Sequence, residues 1–441
     1  MSAGAARAPR VVVCGGGLAG IAAACEASRL GARATLVERR PFLGGKAFSF
    51  LDPEAGVEVD NGQHVFLGCC TAYVGLLRLL GTIGMTELQG RLDAPVRDRE
   101  GRTGALRAGP LPAPLHLGPS FVAYPHLGAR EKARAAGALA LLAGMGPRAR
   151  AGLDDVTFRD WLRDHGQGER TIERFWDLIV LPTCNDRSDR VSAALAAFVF
   201  VEGLLRTRGG SAIGWPRVGL TRLVDPAARR FLASHDGIVL SGRAVARAGP
   251  GAVELADGER LEADAVVLAL PPERVRRVAP AALPTDPDLG SSPIVNVHVW
   301  YDRPVMDGRF TAVLESPAQW VFNRSAMAGL PGPGQHLAVS VSGAREEVAL
   351  SRDELTERFR AELEHLFPRA RAARVERLAV VKEPQATFAS APGQAARRPP
   401  ARTPLDGVAL AGAWTDTGWP ATMEGAVRSG IRAAREALGP R

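Results

Sequence analysis

Arg10-Val11-Val12-Val13-Cys14-Gly15-Gly16-Gly17-Leu18-Ala19-Gly20 passes from a short β-branched stretch into a glycine turn, and apolar residues then continue at helical spacing to Leu30. Gly31 stops that helix and Ala34 to Val37 form a second strand, so Arg10 to Glu38 reads as strand, turn, helix, strand. Gly15, Gly17 and Gly20 stand at G-x-G-x-x-G spacing. The first permits a tight turn, the second lets a pyrophosphate approach the backbone, and the third allows close helix–strand packing. Leu18 and Ala19 open the helix, where backbone N–H groups face the same phosphates. Glu38 ends the second strand at the roughly 20-residue offset where a carboxylate accepts both hydroxyls of an adenosine ribose. The extra phosphate of NADP would meet that charge.

Beyond Arg39, Gly44-Gly45-Lys46 offers a second close backbone approach and a positive charge beside the phosphates. A nicotinamide-only domain does not need this turn, so the expected dinucleotide is FAD. Asp60-Asn61-Gly62-Gln63-His64 then places polar groups between Val57 to Val59 and Val65 to Leu67, in what should be buried strand. Buried polar groups need partners, and a flavin edge and a substrate hydroxyl would serve. At the other end of the chain, Leu410-Ala411-Gly412-Ala413 closes a strand, and Thr422-Met423-Glu424-Gly425-Ala426 opens a helix. The positive end of that helix can face the flavin pyrimidine carbonyl.

The elements alternate as expected of an α/β protein with α+β character overall. A Rossmann-like FAD-binding domain is assembled from discontinuous segments (1–65, 216–290 and 396–441). A substrate domain of mixed sheet and helices takes 66–215 and 291–395, with 66–215 read as mostly helical. Leu220 to Leu270 returns to the cofactor domain, with Val245 beside the nucleotide and Asp257-Gly258 turning a hairpin. Ala391 to Thr403 is the most linker-like stretch.

Composition excludes other classes. Of 441 residues, 46% are hydrophobic and 23% charged, which suits a globular chain with more than one core. The net charge of +8 rests on arginine, since Lys46, Lys132 and Lys382 are the only lysines, and no basic block is interleaved with aromatics, so nucleic acid is not an expected partner. Five cysteines without C-x-x-C spacing fit a reducing cytoplasm. Val11 to Cys25 has the outline of a secretory leader, but its glycines fall at phosphate-turn spacing and the segment runs on into a second strand. No apolar run reaches the length of a membrane span, and no metal site is expected.

These pieces, in this order, resemble the FAD-dependent amine oxidase and phytoene desaturase superfamily across essentially the whole chain. Val59 to His64, Phe175-Trp176 to Asn185, Ala386-Thr387-Phe388 and Gly412 to Glu424 look like its squalene-associated branch, the hydroxysqualene dehydroxylases. The resemblance implies reduction of hydroxysqualene to squalene by reduced FAD, in squalene and hopanoid biosynthesis. Two positions depart from the wider superfamily: Ala413 replaces an acidic residue expected on the ribityl–phosphate chain, and Thr422 replaces an aromatic-cage tyrosine. Amine oxidation loses support accordingly. No cysteine lies beyond Cys184, so the FAD is expected to be non-covalent.

Hydroxide is a poor leaving group, so its departure needs an acid. His64 is the first candidate, Asp60 the second, and Asp416 the third. Gly62 and Gln63 are assigned to the flavin edge. A long isoprenoid substrate must leave a bilayer, which implies peripheral contact with the inner face of the plasma membrane, through Ala135 to Met145 and arginines such as Arg130, Arg134, Arg148 and Arg150. Gly332-Pro333-Gly334 lacks a preceding strand, so the sequence names no electron donor. A carotenoid-type desaturase and a flavin-free lipid-escort protein are the rival readings.

Overall fold

The computed structural model describes residues 7–53, 56–330 and 332–439. Strand Arg10–Cys14 lies at the centre of a five-stranded sheet, with Arg33–Glu38 and then Ile238–Ser241 on one side and Ala265–Leu268 and then Val408–Leu410 on the other. Every pairing is parallel. A parallel sheet is covered on both faces, and Val11 to Cys14 are accordingly all buried. Val11 and Val13 pack with the helices Leu18–Arg29, Leu220–Ala233 and Met423–Leu438, while Val12 and Cys14 meet the meander Val245–Gly249, Ala252–Leu255, Arg260–Glu262 and the helix Pro272–Val278.

Close backbone contact explains two of the glycines. A Cβ on Gly20 would lie 1.8 Å from the Gly15 carbonyl oxygen, and one on Gly430 would lie 2.0 Å from that of Ala19. The first helix is thereby seated on its strand, and the C-terminal helix is drawn across the glycine turn.

The second sheet has seven strands in the order Val375–Thr387, Ser292–Tyr301, Gln335–Ser342, Trp320–Asn323, Phe310–Val313, Asp93–Arg97, Thr103–Arg107. One pairing, Phe310–Val313 with Asp93–Arg97, is parallel and the rest are antiparallel. Segment 66–215 is mostly helical, as expected, but it also contributes strands. Asp93–Arg97 and Thr103–Arg107 complete a sheet begun some 200 residues away, and short strands at Thr86–Leu88 and Ile213–Pro216 pair with each other. Strands so short carry little periodicity of their own; their partners define them.

Helix Ala129–Gly144 buries Ala135, Ala138 and Leu142 and leaves Ala136, Ala140, Leu141 and Ala143 exposed, so the apolar run from Ala135 to Met145 has both a packing face and an outward face. The linker expectation is corrected. Ala391 to Thr403 is not a linker, because it holds the helix Gln394–Arg397 and the buried Arg398 and Ala401. Among the described residues, no helix is long and apolar enough to cross a membrane.

Candidate active site

Strain and hydrogen bonding shape the glycine turn. Gly15 has φ +107°, and its N–H donates to the Val37 carbonyl at 2.7 Å. The N–H of Gly44 donates to the Gly16 carbonyl at 2.8 Å, so the second glycine turn lies directly on the first. Gly17 caps helix Leu18–Arg29 without a side chain, and the first turn holds no acidic residue. The leading N–H groups are left for an outside acceptor, as phosphate binding requires. Glu38 accepts from Gly16 N–H at 2.6 Å through Oε2 and from Arg40 N–H at 2.8 Å through Oε1, which aims the carboxylate and leaves lone pairs for two hydroxyls. These residues fit a dinucleotide. Val245 is buried at the start of the meander, and Leu18 and Ala19 are buried in the helix.

The cations near the turn differ from expectation. Lys46 donates its Nζ protons to the Gln385 and Ala386 carbonyls, so its ammonium is engaged at the end of strand Val375–Thr387 rather than held free for phosphate. The positive φ of both Gly44 and Gly45 turns the chain before it reaches Lys46. Arg39 is exposed, and its neighbour Arg40 backs the turn, donating to the Gly45 carbonyl at 2.9 Å and covering the Phe48 ring at 4.8 Å.

An apolar cavity of about 280 Å³ lies between the seven-stranded sheet and the helices, lined by Val96, Leu178, Phe198, Ile294, Trp320 and Phe322 among others. Thr422 and Met423 also line it, so the start of the C-terminal helix forms part of its wall. Thr422 caps that helix, its hydroxyl accepting from Gly425 N–H at 3.2 Å. Gly412, with φ +147°, donates to Ser429 Oγ at 2.8 Å; Ala413 and Ala426 are half-buried on either side of this junction. A π-helical turn at Phe200–Leu205 brings Glu202 and Gly203 to the wall, as such turns often do at sites. Phe198 packs edge-on against Trp419 at 5.0 Å, and this pair is flanked by Arg150 over Phe198 and Arg428 over Trp419.

The polar segment Asp60 to His64 divides its roles. Asp60 ends strand Val57–Asp60, where its Oδ1 accepts from Ser49 Oγ at 2.7 Å and Leu220 N–H at 3.1 Å, and its Oδ2 pairs with Arg324 at 3.2 Å. That carboxylate is a joint between sheet and helix and does not line the cavity, so the structure does not place it as an acid. Asn61 is likewise occupied, donating to the Lys46 carbonyl at 2.7 Å. Gly62 passes so close to Asn296 that a Cβ would lie 2.8 Å from its Nδ2. Gln63 does line the cavity, and its buried Oε1 has no hydrogen-bond partner. Ser211 Oγ is a second such atom in the wall. His64 Nδ1 donates to the Gly62 carbonyl at 2.8 Å, and burial pushes the imidazole below its usual range, so the ring is neutral at pH 7 with Nε2 left as an acceptor; it sits behind the wall, between the lining residues Gln63 and Val65 in sequence, and does not itself line the cavity. Asp416 is exposed and accepts from Gly418 N–H in its own turn, outside the cavity.

Sequence reasoning missed Arg398. It is buried and donates to the carbonyls of Ala413 at 3.0 Å, Thr415 at 2.5 Å and Trp419 at 2.9 Å, clamping the loop that leads into the C-terminal helix. Burial lowers its pKa to about 10, which leaves it charged. An arginine in an apparent linker gives no local sign of such a role.

Residues 18–438 match the family described as flavin containing amine oxidoreductase. The chain belongs to that family. Among curated relatives of this oxidoreductase, the hydroxysqualene dehydroxylase of Rhodopseudomonas palustris (strain ATCC BAA-98 / CGA009) is 30% identical, covering 96% of this chain and 97% of its own. The chloroplastic/chromoplastic zeta-carotene desaturase of Zea mays is 27% identical, covering 96% and 82% respectively. A solved oxidoreductase from Methanosarcina mazei shares the fold, with a TM-score of 0.76 at 17% identity over 96% of this chain and 99% of that one. The family oxidoreductase is thus a flavoprotein of mixed α/β fold with relatives named for acting on isoprenoid lipids.

Proposed function

We propose that this flavoprotein holds FAD non-covalently and reductively removes the hydroxyl of hydroxysqualene to give squalene. The observation that carries the reading is Gln63 Oε1, a buried acceptor without a partner on a residue that lines a largely apolar cavity. Desolvating such an atom costs about 1–3 kcal/mol unless a ligand donor meets it. An alcohol O–H supplies that donor, and a pure hydrocarbon does not.

Gly15, Gly17, Gly44 and Gly45 would admit the pyrophosphate, Glu38 the ribose, and the N-terminus of helix Met423–Leu438 the flavin ring. Bound reduced FAD supplies a hydride to carbon. In the balanced reaction the C–O bond breaks, the hydroxyl leaves as water with one added proton, and carbon takes the hydride. Gln63 orients the hydroxyl, and the apolar wall excludes water from a cationic carbon. His64 would relay the proton by taking it up first, because its pKa lies below the usual histidine value, so turnover should quicken as pH falls toward that value.

Peripheral membrane contact belongs to the same proposal. Leu111, Leu115 and Val122 are exposed in segment 108–123, and helix Ala129–Gly144 exposes Arg130, Arg134 and Leu141. Flotation with anionic liposomes at low and high salt tests it.

Anaerobic mixing of photoreduced protein with hydroxysqualene should give squalene as flavin absorbance returns, and Gln63→Leu should slow that return about tenfold or more for one lost hydrogen bond to the reacting group. Desaturation is the second reading, favoured by the zeta-carotene desaturase relative. Turnover of zeta-carotene by oxidised protein, with none of hydroxysqualene by reduced protein, would decide for it.

A further inference from the structure

The five cysteines fall into two environments. Cys14, Cys25 and Cys184 are buried, and burial pushes each thiol up to about 12. Cys69 and Cys70 are half-buried, and both line the apolar cavity. Their backbones are pinned, Cys69 N–H donating to the Gly210 carbonyl at 3.0 Å and Cys70 N–H to that of Leu67 at 2.9 Å. Gly68, just before them, packs so closely on the 209–212 loop that a Cβ would lie 2.1 Å from the Gly209 carbonyl oxygen. The pair therefore cannot swing away from the cavity wall without breaking this contact.

Within the pair the adjacent Cys70 thiol holds Cys69 below the usual thiol value, against burial and the Glu424 and Glu202 carboxylates, while Cys70 is raised. Thiolate character, accessibility and a neighbouring donor are what make a cysteine nucleophilic. Glu202 and Glu424 also line the cavity, so an anionic reagent is opposed there, whereas the wall of Val65, Leu67, Leu178 and Met423 favours an apolar tail.

We propose that Cys69, backed by Cys70, is a covalent modification site for soft electrophiles carried on a hydrocarbon tail, such as α,β-unsaturated aldehydes, and that the adduct closes the substrate cavity. The Cys69 sulfur forms a bond to the β carbon as the carbon–carbon π bond opens. The thiol proton leaves to solvent and a proton returns to the α carbon, so nothing is oxidised or reduced overall.

The test is peptide mass mapping of the full-length protein after brief exposure to trans-2-butenal, trans-2-hexenal and trans-2-nonenal, each adduct being stabilised by borohydride. The first adduct should fall on Cys69, with Cys14, Cys25 and Cys184 unmodified until guanidinium is added. Its rate should rise about tenfold for each two methylenes buried in the cavity. Cys69→Ser should remove the fast adduct; the wild-type mapping stands even if that variant fails to fold. First adducts elsewhere, or rates indifferent to tail length, overturn the proposal. None of these readings needs turnover, so they are independent of whether hydroxysqualene is the substrate.

Discussion

The side-chain amide of Asn185 donates to the hydroxyl of Thr387 at 2.9 Å, joining two segments that lie 202 residues apart in the chain. Asn185 caps helix Asp177–Cys184 in the left-handed region at φ 55°, donates also to the Ser292 carbonyl at 3.0 Å, and accepts from Gly343 N–H at 2.9 Å. One residue thus ties the helical lobe to three strands or loops of the seven-stranded sheet. Asn185→Ala should destabilise the protein by about 3 kcal/mol, combining lost hydrogen bonds with a strained backbone. Asn185→Gly should recover about 1 kcal/mol of that by relieving the strain. Urea unfolding of the two variants checks the order; equal losses under 1 kcal/mol would contradict it.

Glycines of the phosphate turn should separate folding from binding. A Cβ on Gly17 would meet only the Gly45 Cα at 3.6 Å, an ordinary contact, whereas one on Gly20 would collide with Gly15. Gly17→Ala should leave the apoprotein's melting temperature nearly unchanged while weakening FAD binding, because the methyl occupies space needed by pyrophosphate. Gly20→Ala should lower the melting temperature of the apoprotein itself. Flavin titration alongside thermal melts distinguishes the two, and identical behaviour would refute the division.

Acid should weaken the seven-stranded sheet through His298, which shares that sheet with His336 on the neighbouring strand. Burial holds this imidazole down at about 4, and its Nδ1 lies 3.1 Å from His336 Nε2, a ring also held well below the usual value. Asp60 opposes the shift and Arg324 adds to it. A histidine with a depressed folded pKa contributes stability that is fully present above its unfolded value near 6.5 and is lost as pH falls toward 4. The loss should approach roughly 3 kcal/mol for His298, at 1.36 kcal/mol per unit. Urea midpoints measured from pH 7.5 to 4.5 should fall, and His298→Asn should flatten the slope. An unchanged slope in that variant would place the acid sensitivity elsewhere.

Glu424 is fully buried and accepts from Ala72 N–H at 3.0 Å and Tyr73 N–H at 2.7 Å, at the start of helix Thr71–Leu79, as well as from Arg428 Nε at 2.7 Å. Glu424→Ala leaves these donors without their acceptor and should cost about 3 kcal/mol, with Glu424→Gln costing less because one oxygen remains. Hydrogen exchange at the Tyr73 amide reads the local effect. It should quicken in the alanine variant before global unfolding does.

The turn at Gly15 to Gly20 and the carboxylate at Glu38 were legible in the chain because their roles are local: strand, turn and helix are contiguous, and glycine spacing reports backbone sterics directly. So was the hairpin turn at Asp257-Gly258, which lies between the antiparallel strands Ala252–Leu255 and Arg260–Glu262. Asp93–Arg97 and Thr103–Arg107 were not legible, since pairing with Phe310–Val313 makes them part of a sheet. The polar run Asp60 to His64 shows the same limit most clearly. Its composition alone determined that buried polar groups would need partners. Which of them found partners within the protein was decided by Arg324, Leu220 and Asn296, brought together from distant segments; these occupy Asp60 and pack on Gly62, while Gln63 is left lining the cavity with a buried acceptor that has no partner. Side-chain direction in such a segment follows from long-range packing, and no local pattern encodes it.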